Sequence, residues 1–122
     1  MKSNQPIDDI VPLREPTLLI LLSLAAGDKH GYAIIKDVEA LSNAKVILST
    51  GTLYEALARL LEQGLIERVE PRQAEQAESH PGRPRKTYQL TAQGRRVIKA
   101  EISRMQALVT TARQLLGEAG AR

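Results

Sequence analysis

Apolar residues recur every three or four positions along most of the chain, whereas two short stretches alternate apolar and charged residues. The first pattern is typical of helices that bury one face, and the second of half-buried strands. In chain order, the patterns predict three helices, two strands and one long final helix. We therefore expect a mainly α fold that carries a small β-hairpin.

The first helix is predicted from Pro16 to Gly27, because proline suits the first helical position and glycine commonly follows the last one. Its residues are apolar on nearly every side, so we expect it at the centre of the core. Residues 1–13 contain two prolines and no helical period. They predict a flexible N-terminal arm.

Two further helices follow, each with one apolar face. The second ends near Ser42 and Asn43, and the third is stopped by Gly64. Gly31 is expected to form the turn into the second helix, with Tyr32 anchored by packing. The apolar positions are Ile34, Ile35, Val38 and Leu41 in the second helix and Leu53, Leu57, Leu60 and Leu61 in the third.

The two strand-like runs, "LIERVEP" and "KTYQLT", flank a polar stretch at 71–85 and predict a hairpin with a long tip. Thr91 can then cap a helix that continues to about Leu116. This helix repeats apolar residues in alternating steps of four and three, which is the spacing of a coiled-coil seam. The predicted seam consists of Ile98, Ile102, Met105, Val109, Ala112 and Leu116.

Such a helix would be about 37 Å long. Because so small a domain cannot cover it, we expect the seam to pair with a second copy of the chain. A helix that packs only on its own domain is the alternative.

The charges are unevenly distributed. The chain has 17 basic and 14 acidic residues and a net charge of +3. Between Arg83 and Arg104, however, seven cations stand against a single anion, Glu101. This asymmetry favours a polyanionic partner, with a solvated basic surface as the alternative.

Three helices followed by a basic hairpin predict a winged helix-turn-helix, in which the third helix enters the DNA major groove and the hairpin contacts the backbone or minor groove. Hydroxyls can bond phosphates or base edges, a glycine permits close approach, and a helix N-terminus favours an anion. The hydroxyls could instead serve only as helix caps, and Thr52 with Glu55 has the spacing of a capping box. The candidate DNA-binding residues are Ser49, Thr50, Gly51, Thr52, Tyr54 and Arg59 in the third helix and Arg83, Arg85 and Lys86 in the hairpin.

Three segments, "HGYAIIKDVE", "LSTGTLYEALARLLEQGLIE" and "GRPRKTYQLTAQGRRV", resemble the PadR family of bacterial transcriptional regulators, over about residues 14–96. The single C-terminal helix is similar to the compact subtype of that family, and this resemblance implies dimers formed through that helix and control by an effector. Thr50 stands where the family often has proline, and Glu55 is a similar departure. Some relatives hold flat aromatic drugs between tryptophans, but this chain has no Trp and no Phe, so that pocket is not supported.

Several classes of function are disfavoured. The chain has no Cys, and neither of its two His has a partner at metal-ligand spacing. We expect no metal, no cofactor and no enzymatic activity. The most apolar stretch, at 16–27, is too short to cross a bilayer, and the polar N-terminus does not resemble a signal peptide. These features predict a cytoplasmic protein with no membrane partner.

The leading hypothesis is a homodimeric repressor that binds an inverted-repeat operator in double-stranded DNA and is released by a small-molecule effector of unknown identity. It assigns residues 14–92 to the DNA-binding domain, 93–117 to a dimerisation helix and 118–122 to a tail. The alternative is a winged-helix interaction module that binds an acidic protein.

Overall fold

The computed structural model describes residues 5–69 and 86–118. Its helices and strands, in chain order, are α1 (Ile7–Ile10), α2 (Glu15–Ala25), β1 (Lys29–His30), α3 (Gly31–Leu41), α4 (Thr50–Glu62), β2 (Ile66–Val69), β3 (Thr87–Leu90) and α5 (Ala92–Leu115). The strands form an antiparallel sheet in the order β1-β3-β2. Helices α2, α3 and α4 with strands β2 and β3 form the predicted winged helix-turn-helix, and α5 is the predicted long helix.

Helix α2 lies at the centre of the core, as its apolar composition predicts. It packs against α3, β3 and α5, and Ile20 and Leu21 have no exposed surface. The inward faces of the other helices close around it. The fully buried side chains at this centre include Ile34 and Val38 from α3, Leu53 from α4, and Val97 from α5.

A buried polar group joins α2, β1 and α3. The Ser23 hydroxyl, which is 1% exposed, donates to Asp37 Oδ2 at 2.9 Å. Lys29 Nζ lies 3.1 Å from the same carboxylate oxygen and donates to the Ser23 carbonyl at 2.6 Å. A buried hydroxyl without a hydrogen-bond partner would lower stability. The bonds among Ser23, Lys29 and Asp37 therefore hold the turn between α2 and α3 in place.

The start of α5 is locked to the end of α4. Thr91 caps α5, since its hydroxyl oxygen accepts from the Gly94 N–H at 3.0 Å, and the same hydroxyl donates to the Gly64 carbonyl at 2.7 Å. Gly94 lies against the Leu65 carbonyl, so closely that a Cβ there would collide with it. The start of α5 therefore approaches the turn that follows α4 through backbone atoms, and only glycine fits at that position.

The structure differs from the predicted flexible arm between residues 5 and 13. Residues Ile7–Ile10 form one helical turn, and Ile10 is buried in the core. Ile7, Val11 and Leu13 pack partly against the same core. Their apolar side chains, interrupted by proline and aspartate, carry too little periodicity to reveal this packing in the sequence.

Strand β1 is also absent from the sequence prediction. It has only two residues, and it forms because Lys29 and His30 pair with Tyr88 and Thr87 of β3. Across residues 5–69 and 86–118, no helix is both long enough and apolar enough to span a membrane.

Candidate nucleic-acid interface

The N-terminus of α4 is built around Ser49. Ser49 has an extended backbone, and its side-chain oxygen accepts from the Thr52 N–H at 3.1 Å. Its hydroxyl also donates to Thr52 Oγ1 at 3.0 Å. Ser49 is therefore the cap of this helix, and the predicted capping box that begins at Thr52 is wrong, because the helix already starts at Thr50.

The two faces of α4 differ as the helical pattern predicts. Leu53, Leu57 and Leu60 are at most 1% exposed. The opposite face is open to solvent over its whole length and presents Thr50, Gly51, Thr52, Glu55, Ala58, Arg59 and Glu62. Small and polar groups at the helix start are followed by charges of both signs.

Gly51 lies in the first turn of α4 with nothing around it. A Cβ built at this position would have no neighbour within 4 Å, and its backbone is helical. Neither packing nor backbone conformation therefore requires a glycine here. A glycine in a helix lowers stability relative to alanine, so the fold gains nothing from a glycine at this position.

Tyr54 packs on the start of α3. A methyl group at Gly31 would lie 2.5 Å from the Tyr54 hydroxyl oxygen and 3.2 Å from Leu53 Cδ2. Gly31 therefore lets the end of the Tyr54 side chain lie close to the start of α3, and a larger residue at position 31 would displace it. Tyr54 keeps 45% of its surface exposed, so its ring packs while one edge faces solvent.

Tyr32 is not anchored by packing, contrary to expectation. It is 65% exposed, and Lys36 Nζ lies 5.6 Å from the centre of its ring. The two residues are four positions apart and share the outer face of α3. The sequence contained this spacing, but the short "HGY" turn suggested a buried ring.

The root of the hairpin brings a cation close to α4. Tyr88 is buried and pairs across the strands with Arg68, which is exposed. Burial raises the pKa of the Tyr88 phenol, Tyr54 raises it further, and Arg68 opposes the rise. Tyr54, Tyr88 and Arg68 are thus electrostatic neighbours where α4 meets the hairpin. The sequence prediction missed Arg68, whose only signal was its alternation with Glu67 in the strand.

Of the three hairpin cations predicted to bind DNA, the structure describes Lys86, which is exposed directly before β3. Arg83 and Arg85 lie outside the described residues, as does His80. His30 pairs with Thr87 in the sheet and precedes α3. Within the described part of the chain, no three His, Asp or Glu side chains are grouped so that they could hold a metal ion.

Helix α5 leaves the core after its third turn. Ile98 is 7% exposed and belongs to the core of its own chain, so it is not available to the predicted seam. Its early position lets it pack with Val97 against α2. Ile102, Met105, Gln106, Val109 and Thr110 line a shallow groove of about 520 Å³ on the emerging helix.

Beyond Ile98, the residues of the predicted seam are exposed or partly buried, and the apolar face that they form is wider than predicted. Ile102 and Val109 are 46% and 49% exposed, and Ala112 and Leu116 are exposed too. Leu108 and Leu115 flank the seam and are also exposed. Added to the predicted positions, they make a three-in-seven apolar face, which is typical of a helix packed into a bundle. These two leucines fall outside the strict four-and-three spacing of the predicted seam.

A comparison with known protein families shows which family the chain belongs to. The model of the transcriptional regulator PadR-like family matches residues 20–100. The chain belongs to the PadR-like family. PadR-like proteins are transcriptional regulators with a winged-helix DNA-binding fold and are not enzymes.

Solved PadR structures have the same fold. A crystal structure of a PadR family transcription regulator from Clostridium difficile R20291 is 26% identical with a TM-score of 0.66, over 84% of this chain and 99% of that one. A PadR-like transcription factor from Bacteroides fragilis is 28% identical with a TM-score of 0.66, over 81% and 87% of the two chains.

A curated protein is similar in sequence. An uncharacterized 37.1 kDa protein in transposon Tn4556 of Streptomyces fradiae is 36% identical over 91 residues, or 75% of this PadR-like chain. The match covers 23% of that protein's length. The chain thus spans less than a quarter of this curated relative.

Proposed function

We propose that this PadR-like protein represses transcription by binding, as a homodimer, to an inverted-repeat operator in double-stranded DNA. One observation carries the proposal. The N-terminal face of α4 is exposed and lined by Ser49, Thr50, Gly51 and Thr52, although nothing in the folded chain requires Gly51. A small, polar helix start suits insertion into the major groove, with backbone N–H groups directed at phosphate.

The charged residues on and near α4 suit two different kinds of DNA contact. Arg59, Arg68 and Lys86 are exposed and suit phosphate contacts, as do Arg83 and Arg85 in the sequence. Phosphate contacts fix the position of the protein and carry little sequence information. Glu55 repels phosphates and is assigned to a base edge, where a carboxylate can accept from the cytosine amino group.

Dimerisation would bring two copies of α4 to the same side of the duplex. The exposed apolar face of α5 supports this step, because an isolated helix with such a face is poorly stable in water. The residues assigned to the dimer are Ile102, Met105, Leu108, Val109, Ala112, Leu115 and Leu116. Half-sites read by a symmetric dimer lie about one helical turn, 34–36 Å, apart.

Repression would follow from occlusion of a promoter by the bound dimer. Release would follow when an effector changes the angle between the two winged domains. A ligand can shift this equilibrium only if it binds the two arrangements with different affinity. The effector would therefore contact α5 or the surface between α5 and the winged domain.

Gel-shift titration against genomic fragments, repeated at several salt concentrations, tests DNA binding. We expect selective shifts that weaken steeply with salt, because each neutralised phosphate contributes about 0.9 to the slope of log K against log salt. Light scattering should give the mass of a dimer. If no fragment shifts selectively at low salt, DNA readout is excluded and binding to an acidic protein becomes the better explanation.

A further inference from the structure

The long helix α5 changes environment at Glu101. Up to this residue, Gly94, Val97, Ile98 and Glu101 itself are buried. Beyond it, every described residue of the helix is exposed except Met105, which is partly buried. Glu101 is therefore the last residue of the helix that is fully enclosed by its own domain.

The Glu101 side chain is only 1% exposed. Both of its carboxylate oxygens accept hydrogen bonds from other parts of the protein. Oε2 accepts from the Leu13 backbone N–H at 2.8 Å. Oε1 accepts from Arg104 Nε at 2.7 Å, and Arg104 Nη2 lies 3.4 Å from Oε2. Leu13 directly precedes the cap of α2, so the carboxylate connects α5 to the helix at the centre of the core.

A second anchor lies at the start of α5, where Thr91 and Gly94 contact the end of α4. Seven residues separate Gly94 from Glu101, which corresponds to about 10 Å along a helix. Two fixed points on one rigid helix define the direction of its axis. The anchor at Thr91 and Gly94 holds the start of α5 to the turn that follows α4, and the Glu101 carboxylate holds the helix again where it leaves the domain.

A small change in this angle has a large effect at the other end of the helix. About 21 Å of helix extend from Glu101 to Leu115. A tilt of about 10° at Glu101 would displace that end by about 4 Å, which is close to the 3.4 Å rise of one base pair. In a dimer joined through α5, the direction of this helix would set the distance between the two DNA half-sites.

The buried side chain at position 101 is a carboxylate, and its chemistry bears on the role of the residue. Burial of a charged group is unfavourable until its partners compensate, and a well-packed apolar residue is often as stable or more so. Buried polar groups are best attested where they fix one register or geometry. An apolar side chain at position 101 could fill the space but could not hold the Leu13 N–H at a defined point.

We propose that Glu101 is a positioning residue that sets the direction of α5 and thereby the half-site spacing accepted by the dimer. This inference rests on the proposed function, since spacing has meaning only for a dimer on an inverted repeat. It assigns to Glu101 a role in specificity although its hydrogen-bond partners, Leu13 and Arg104, lie outside α4.

The test compares wild-type protein with Glu101→Met, in which an apolar side chain of similar length fills the site. An operator is first selected from random duplexes with the wild-type dimer. The half-sites are then moved together or apart by one and two base pairs, and the affinity for each duplex is measured. Glu39→Met, at a partly exposed position of α3, is the matched control.

We expect wild-type protein and the control to lose about tenfold in affinity or more when the spacing departs from the selected one, a penalty similar to that of a mismatched base pair. Glu101→Met should remain dimeric and bind the whole series within about threefold, because α5 is no longer held at one angle. A spacing preference identical to wild type would overturn the role of Glu101. If wild-type protein selects no operator or is monomeric, the proposed function itself fails.

Glu101→Gln provides a second variant if Glu101→Met does not fold. Its amide oxygen can still accept from the Leu13 N–H, but the ion pair with Arg104 is lost. We expect an intermediate broadening of the spacing preference, with unchanged affinity for the optimal duplex. An unbroadened preference in this variant would also overturn the inference.

Discussion

Gly51 is the residue at which the proposed DNA contact and the stability of the fold make opposite demands. The position is helical and has open space where a side chain would extend. We expect Gly51→Ala to raise the free energy of unfolding by about 0.4–1 kcal/mol, because alanine loses less conformational entropy on folding. The same methyl group should weaken operator binding, since it lies on the face assigned to DNA. Urea unfolding and gel-shift titration measure the two effects.

Ala58→Gly provides the reverse control, at an exposed position about two turns further along α4. It should lower stability while affecting the operator less. A Gly51→Ala protein that is more stable and binds DNA as tightly as wild type would contradict close approach of DNA to Gly51.

Glu101 should make stability depend on pH. The hydrogen bond from Arg104 lowers the pKa of Glu101, burial opposes this effect, and the Leu13 N–H adds to the lowering. Because the folded-state pKa lies below the ordinary value of 4.5, this residue stabilises the fold above that pH. The contribution is lost as the pH falls through the lowered folded-state pKa.

Urea unfolding measured from pH 7 downwards tests this effect. We expect the free energy of unfolding of wild-type protein to fall more steeply below pH 4.5 than that of Glu101→Gln, in which the titrating group is absent. Glu39→Gln should follow the wild-type curve. Identical curves for wild type and Glu101→Gln would mean that the ion pair contributes nothing to folding.

At the scale of elements, the hairpin and α4 meet at the buried Tyr88, whose pKa is affected by both Tyr54 and Arg68. The tip of the hairpin, with Arg83 and Arg85, lies outside the described residues. Its cations are predicted to contact phosphate. We expect the double variant Arg83→Ala with Arg85→Ala to weaken binding to all duplexes and to reduce the salt slope by up to about two units. Gel-shift titrations at several salt concentrations give this slope.

The control for the hairpin variant is Arg113→Ala, which removes an exposed cation near the end of α5. Its salt slope should match that of wild type. An unchanged salt slope in the double variant would show that the hairpin tip does not contact DNA. The cationic contacts would then come from Arg59 in α4 and Arg68 in β2.

At the scale of the whole molecule, the residues of α5 that stabilise the fold are separate from those expected to form the dimer. Val109 is 49% exposed and lies beyond the last buried residue, so a charge there should not affect the folding of the domain. We expect Val109→Glu to convert the dimer to a monomer, because pairing would bury an uncompensated carboxylate. Light scattering gives the mass, and circular dichroism shows whether the fold is kept.

Ala107→Glu is the matched control, since residue 107 is exposed and lies opposite Val109 on the helix. It should remain dimeric. A folded dimer of Val109→Glu would place the interface on another surface, and the wide apolar face of α5 would then need a different explanation.

Local patterns made much of this architecture predictable. The apolar faces of α3 and α4, the caps Ser49 and Thr91, and the strands β2 and β3 follow from short-range periodicity and capping chemistry. The alternation of Leu53 and Leu57 with exposed polar residues was also enough to identify the outward face of α4.

Other features depend on contacts between residues far apart in sequence. The burial of Ile10, the pairing of β1 with β3 and the bond from Leu13 to Glu101 each join separate parts of the chain. No local pattern encodes such contacts. For the same reason the sequence placed Ile98 in the seam, whereas the packing of α5 on α2 places it in the core.

The sequence by itself determined the order of the elements, the polar start of α4 and the family, because these depend on residues close together in the chain. Only the tertiary structure decided where α5 leaves the core, why residue 94 must be glycine, and which carboxylate is buried. Those features arise from distances between segments, and such distances exist only after the chain has folded.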